Sequence, residues 1–127
     1  MNISDAEWIV MQAVWRLGRV GAAEVIEDVI PQTDWSHRTV RTLLNRLVDK
    51  GALQASMEGN RNLYRTLVSE SLCVREESRT FVKKVFGGDA GALLAHFVDH
   101  ESITSEQIDE LKSLLEKKQQ QEREDAS

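Results

Sequence analysis

Asp34-Trp35-Ser36-His37-Arg38-Thr39-Val40-Arg41-Thr42-Leu43-Leu44-Asn45-Arg46-Leu47-Val48-Asp49-Lys50-Gly51 is the stretch on which the fold turns. Val40, Leu43, Leu44 and Leu47 fall at i, i+3, i+4 and i+7, which places all four on one face of an α-helix and makes that face a core stripe. Ser36 stands where an N-cap belongs, and Gly51 supplies the backbone freedom that ends a helix. The opposite face carries His37, Arg38, Arg41, Thr42, Asn45 and Arg46. A helix so divided presents hydrogen-bond donors outward while its leucines anchor it.

The flanking sequence gives this helix its context. Upstream, Ile3-Ser4-Asp5-Ala6-Glu7-Trp8 is a helix-start signal, with Ser4 as N-cap, Glu7 closing a capping box and Ile3 stapled to Trp8. Trp8, Met11, Val14 and Trp15 recur at helical spacing as far as about Leu17, where Gly18 offers a C-cap; the two tryptophans are expected as core anchors. Gly21 marks a turn into a second helix, Ala22 to Ile30, stopped by Pro31. Downstream, Leu53 to Met57 and Asn62 to Val68 alternate weakly as two strands, with Glu58-Gly59-Asn60-Arg61 as the hairpin tip. Three short helices followed by a hairpin predict a winged helix-turn-helix over residues 1–68.

Residues 69–127 predict a helical extension. One helix runs from Ser69 to about Phe86, Gly87-Gly88 interrupts it, and Asp89 caps another through Leu93, Leu94, Phe97 and Val98. Thr104 with Gln107 forms a second capping box and opens a helix bearing Ile108, Leu111, Leu114 and Leu115. The charged, glutamine-rich tail from Lys117 to Ser127 is expected to fray. These apolar stripes have little of a small domain left to cover them, so a second copy of the chain is the expected partner, with Phe97, Ile108, Leu111, Leu114 and Leu115 in the dimer contact. The fold class is thus mainly α with a small β-hairpin wing, plus a C-terminal helical dimerisation segment.

Composition and charge narrow the function. The 127 residues, 41% hydrophobic and 29% charged, fit one compact domain with an extension rather than a large enzyme with a deep pocket. No apolar run approaches the roughly 20 residues that span a bilayer, and the N-terminus lacks the basic and apolar regions of a signal peptide, so a cytoplasmic protein without membrane insertion is expected. Cys73 is the single cysteine, which excludes a disulfide within one chain and suits a buried apolar position better than a redox switch. The net charge of -5 argues against nucleic acid until its distribution is considered. From Ser36 to Arg65, Arg38, Arg41, Arg46, Lys50, Arg61 and Arg65 stand against only Asp49 and Glu58, whereas acids outnumber bases on either side. The basic patch is local, as a single DNA-binding face requires.

The residue types on the helix face match base and phosphate chemistry. Arginine offers a fork of donors to the two major-groove acceptors of guanine, and threonine both hydrogen-bonds base edges and touches the thymine methyl. Arg41 and Thr42 are accordingly the expected base readers. Ser36, Arg38, Thr39 and Arg46 are the expected phosphate contacts, joined from the hairpin tip by Asn60 and Arg61. No nucleophile–base pair and no glycine-rich phosphate loop is present, so neither an enzyme nor a cofactor is expected. His96 and His100 are spaced i, i+4, but without a third ligand they are expected as surface or interface histidines rather than a metal site.

At this level of detail the chain resembles the penicillinase repressors of the BlaI/MecI type, a family that also includes the copper-responsive CopY repressors. The resemblance runs from about Ile3 to Leu115. It rests on Ile3-Ser4 with Ala6-Glu7-Trp8, Val10-Met11 and Trp15; on Asp34-Trp35-Ser36, Thr39-Val40-Arg41-Thr42-Leu43, Arg46-Leu47 and Lys50-Gly51; and on Gly87-Gly88, Leu94 and Phe97-Val98. It implies a homodimer that binds double-stranded operator DNA, a palindrome built around TACA and TGTA half-elements, and represses transcription. It further implies Arg41 and Thr42 on bases, with Ser36, Arg38, Thr39 and Arg46 on the backbone. In the antibiotic-resistance members a membrane sensor's signal leads to proteolysis at a position that falls here between His96 and Phe97. Two positions depart from the family pattern: His37 replaces a common proline, and His96 replaces the asparagine of the cleavage site. The paired Cys-x-Cys motifs of copper-responsive members are absent. Two other readings compete with a repressor of this type. One is a winged-helix regulator whose C-terminal helices hold a small molecule; the other is a winged helix used only to bind protein, which the clustered arginines disfavour.

Overall fold

A computed structural model describes residues Met1–Ser127. The elements are α1 (Asp5–Leu17), β1 (Val20–Gly21), α2 (Ala22–Val29), a 3₁₀ turn (Ile30–Gln32), α3 (His37–Asp49), β2 (Leu53–Glu58), β3 (Arg61–Thr66), α4 (Glu70–Phe86), α5 (Ala90–His100) and α6 (Ser105–Ala126). The chain divides into two compact units, Met1–Ser78 and Arg79–Ser127. The division falls inside α4 rather than at residue 68, and buried Cys73, in the first turns of α4, belongs to the core of the first unit.

In the first unit, α1 begins as its sequence dictates: the Glu7 amide donates to Ser4 Oγ, and the Ser4 amide donates to Glu7 Oε1 at 2.8 Å. It ends at Gly18, whose φ of 82° is one that residues with a Cβ rarely adopt. Val10, Met11, Ala13 and Val14 are fully buried. Trp8 and Trp15 are half-buried at the rim instead of central, packed edge to face at 5.7 Å. The Trp15 indole stays at the rim because its N–H donates to the Val68 carbonyl at 3.0 Å, a partner beyond the end of β3.

The second helix stops at Val29, one residue short of expectation. Pro31 then sits at the start of the 3₁₀ turn, where its missing N–H leaves no acceptor unfilled. Helix α3 buries Val40, Leu43, Leu44 and Leu47, the four residues of the predicted stripe. Full burial of each is worth roughly 1.5–3 kcal/mol, so this stripe alone fixes which face of α3 turns outward. Gly51, at φ 82°, closes the helix as a Schellman turn: its amide reaches the Val48 carbonyl, and the Ala52 amide reaches the Leu47 carbonyl. The chain thereby re-enters the core at once, with Ala52 and Leu53 buried.

The wing is a three-stranded antiparallel sheet in the order β1-β3-β2. Gly59, at φ 63°, and Asn60 form the two-residue tip, and Glu58 stands opposite Arg61. The short strand β1 escaped the sequence pattern. Val20 and Gly21 pair with Tyr64 and Leu63, and two residues are too few to show alternation.

In the second unit, Gly87 and Gly88 both adopt positive φ and end α4, and Asp89 caps α5 by accepting from the Ala92 amide. The Thr104–Gln107 capping box starts α6. That helix continues to Ala126, through the tail expected to fray. Its Glu, Gln, Lys and Arg residues are strong helix formers, and Gln120 donates to Glu124 one turn on. No residue of α5 or α6 is buried within one chain.

Candidate nucleic-acid interface

Helix α3 is positioned from beneath by its leucines and at its start by Ser36, whose Oγ accepts from the Thr39 amide at 3.1 Å and lies 3.1 Å from the Thr39 hydroxyl. The first-turn amides not consumed by this cap point outward with the positive end of the helix dipole. Ser36, Arg38, Arg41, Thr42 and Arg46 are exposed, and Thr39 is half-buried. Thr42 Oγ1 donates back to the Arg38 carbonyl at 3.0 Å, which leaves its methyl group and an oxygen lone pair facing away from the helix.

Electrostatics separate the arginines from Arg16 to Arg65 into two sets. Arg16 is paired with Asp28, Arg19 with Glu58 at 3.2 Å, Arg61 with Glu24 at 2.9 Å, and Arg65 donates to Gln54 at 2.8 Å. Arg38, Arg41 and Arg46 take part in none of the molecule's salt bridges. Three guanidinium groups on one exposed helix face, each without a carboxylate, form a surface whose charge is available to an anion.

The wing meets this surface. One cleft is lined by Gly21, Ala22, Glu24 and Tyr64 together with Arg41, Asn60 and Arg61, so a predicted base reader and both predicted wing contacts face the same space. A second cleft, between α2 and α3, is lined by Ile26, Glu27, Pro31, His37 and Arg41. Arg61 does not reach out freely as its sequence position implies, because its Nη2 donates to Glu24 Oε1. Glu24 is the third residue of α2, where a carboxylate suits the helix start, and its own backbone amide, the Arg61 guanidinium and the Gly21 amide hold it below the usual carboxylate pKa against an opposing push from burial. The spacing of Gly21 and Glu24, that of a capping box with glycine at the N-cap, was the available signal for this role.

A second ion pair braces the interface from behind. Lys50, at the C-terminal end of α3, donates to Glu7 Oε1 at 2.5 Å and to the Asn2 carbonyl at 2.7 Å. Glu7 is buried. Burial pushes its carboxyl up, but hydrogen bonds from Lys50 and from the Ser4 amide and hydroxyl, with the Lys50 charge, outweigh that and hold it below the usual value. For Cys73, burial and the neighbouring Glu76 carboxylate push the thiol up, keeping it protonated and unreactive.

In the second unit, Phe97, Val98, Ile108, Leu111, Leu114 and Leu115 are all more than a third exposed. Leu94, Val98, Ile103, Ile108, Leu111 and Leu115 line one apolar cleft, with Glu101 and Lys112 beside them. His96 stacks on His100 with ring centres 4.3 Å apart and tilts against Phe86, and a ring nitrogen of His100 lies 2.9 Å from the His96 carbonyl.

A winged helix with its exposed third helix and its hairpin bordering one cleft is the architecture of a DNA-binding transcriptional regulator. The chain belongs to the penicillinase repressor family, whose profile matches residues 3–117. It is 37% identical over 117 residues to the methicillin resistance regulatory protein MecI of Staphylococcus aureus strain N315, covering 92% of this chain and 95% of that one. It is 32% identical over 115 residues to the penicillinase repressor of Bacillus licheniformis, covering 91% and 90%. Among solved structures, the Bacillus licheniformis BlaI monomer in complex with the blaP half-operator superposes with a TM-score of 0.51 at 38% identity, covering 56% of this chain and 87% of that one. Members of the family are transcriptional repressors and not enzymes. No helix of this chain is long and apolar enough to cross a membrane.

Proposed function

We propose that this chain is a homodimeric, cytoplasmic repressor that binds a palindromic operator through α3 and the wing. The observation that carries the reading is the exposed face of α3, where Arg38, Arg41 and Arg46 lack carboxylate partners while Arg16, Arg19 and Arg61 are paired and Arg65 is hydrogen-bonded. In this reading α3 lies in the major groove. Arg41 forks onto guanine, and Thr42 presents its methyl and lone pair to the neighbouring base. Ser36, Arg38, Thr39 and Arg46 hold phosphates on either side, and Asn60 with Arg61 follows the adjacent backbone.

The dimer is supported by the uncovered apolar face of α5 and α6. Phe97, Ile108, Leu111, Leu114 and Leu115 expose more apolar surface than a lone chain can bury, and a symmetric copy offers a matching one. Repression is relieved by cleavage between His96 and Phe97 through a protease linked to a membrane sensor. The supporting feature is that every residue of α5 except half-buried Leu93 is exposed and that the bond precedes all of the proposed dimer contact. Gel-shift titration of the full chain on a duplex with inverted TACA and TGTA half-elements tests DNA binding, and sedimentation tests the dimer.

The cleft between α5 and α6, with a volume of about 340 Å³, favours a second reading in which a small apolar effector binds there. A rise in melting temperature with such a molecule, accompanied by a change in operator affinity, distinguishes it from release by cleavage.

A further inference from the structure

The arginine at the wing tip has a partner that a DNA-contacting residue does not need. Arg61 Nη2 is 2.9 Å from Glu24 Oε1, joining the first residue of β3 to the first turn of α2. The carboxylate nearest along the hairpin is Glu58, directly opposite Arg61, but Arg19 holds it at 3.2 Å. Arg61 therefore leaves its own hairpin and crosses to α2. The crossing passes over Gly21, where a Cβ would lie 2.6 Å from Glu24 Oε2 and 2.8 Å from Arg61 Nη2, so the absent side chain makes room for the pair. Glu24 Oε2 is shut off from solvent and has no hydrogen-bond partner, so Arg61 is the one side chain that the carboxylate engages. The two side chains are 57% and 41% exposed, and they border the same cleft as Arg41.

We propose that Glu24 is an internal stand-in for a DNA phosphate: it holds the Arg61 guanidinium against α2 in the free protein and gives it up to the sugar-phosphate backbone when DNA enters the cleft. The inference rests on the proposed DNA-binding function and adds a regulatory residue to it. An exposed pair of this kind is weak, whereas a phosphate contact also releases counterions, so the exchange runs toward DNA. Until the exchange occurs, Glu24 holds the guanidinium that a phosphate would otherwise take, and breaking that pair is a cost that every duplex meets. Glu24 thus lowers affinity for any duplex and keeps the wing arginine from engaging random DNA at full strength.

The test is a double-mutant cycle in the full chain, measured by fluorescence anisotropy on a duplex of inverted TACA and TGTA half-elements and on a scrambled duplex. Glu24→Gln retains the side-chain shape and the ability to cap α2. Glu27→Gln, which removes a negative charge on the α2 side of α3, is the control for general charge neutralisation. Glu24→Gln is expected to tighten binding to both duplexes about 3- to 5-fold more than Glu27→Gln does. In an Arg61→Ala background the two substitutions become equivalent. If Glu24→Gln is no better than Glu27→Gln, weakens binding, or keeps its full advantage without Arg61, the exchange does not occur and the pair is a fixed strut. A wild-type chain that binds neither duplex removes the functional reading and the exchange together; one that binds while the cycle shows no coupling removes the exchange alone.

Discussion

Lys50 Nζ lies 2.5 Å from Glu7 Oε1, and this contact ties the end of the proposed recognition helix to the first turn of α1. Glu7 is almost completely enclosed, while Lys50 is 37% exposed. Replacing Lys50 with methionine leaves a buried carboxylate with the Ser4 amide and hydroxyl as its remaining donors. Loss of one partner from a fully buried pair costs about 3–5 kcal/mol, and the exposure of Lys50 discounts this to about 1–3 kcal/mol. Urea denaturation of Lys50→Met against wild type checks the figure; an unchanged midpoint would show that the pair contributes nothing.

The same contact gives stability a defined acid dependence. The folded state holds the Glu7 carboxyl below the usual value of 4.5, so its contribution is fully present above that value. The contribution disappears as pH falls below 4.5 and through the lower value in the fold. Glu7→Gln should therefore flatten the acid limb of the stability–pH curve while leaving its neutral-to-basic shape unaltered. Parallel acid limbs for wild type and Glu7→Gln contradict this.

The arginines of α3 should divide by role. Arg41→Ala and Thr42→Ala are each expected to lose about 1–3 kcal/mol of specific binding and to relax base preference, because both face base edges in the proposed pose. Arg46→Ala should weaken specific and random DNA alike and lower the salt slope by about one unit, since one counterion-releasing contact is removed. Footprinting with salt titration separates the two patterns, and identical profiles for all three variants would show the division to be wrong.

The C-terminal helices should hold the dimer. A fragment ending at His96 retains every buried residue of the first unit but loses Phe97 and all of α6. It is expected to sediment as a monomer and to bind a full palindrome more weakly, by up to about 10² to 10⁴, through loss of effective concentration alone. Leu111→Glu with Leu115→Glu in the intact chain should do the same. A fragment that stays dimeric and binds as tightly as the full chain excludes release by cleavage at that bond.

Legibility in the sequence followed the number of residues that each feature spans. The four apolar positions of α3, the capping boxes at Ser4 and Thr104, and the glycines at 18, 51, 59, 87 and 88 were readable because periodicity and backbone chemistry repeat or stand alone. Strand β1 was not readable, since Val20 and Gly21 acquire their role only from Leu63 and Tyr64 far along the chain. The Glu24–Arg61 and Glu7–Lys50 pairs were hidden for the same reason, joining residues separated by 37 and 43 positions. The tail continues α6 to Ala126 because Glu, Gln and Lys are strong helix formers, a propensity that a run of charges conceals in the sequence. For the interface, the sequence indicated which residues face outward on α3; which of the arginines lack a carboxylate emerged only in three dimensions.

The most direct measurement of the central claim is the equilibrium affinity of the full chain for a duplex of inverted TACA and TGTA half-elements, against a scrambled duplex of the same composition, at roughly physiological salt. The account predicts a preference of about 10³ or more for the inverted repeat, most of it lost in Arg41→Ala. Equal affinity for the two duplexes, or an Arg41→Ala variant that discriminates as well as wild type, would contradict it.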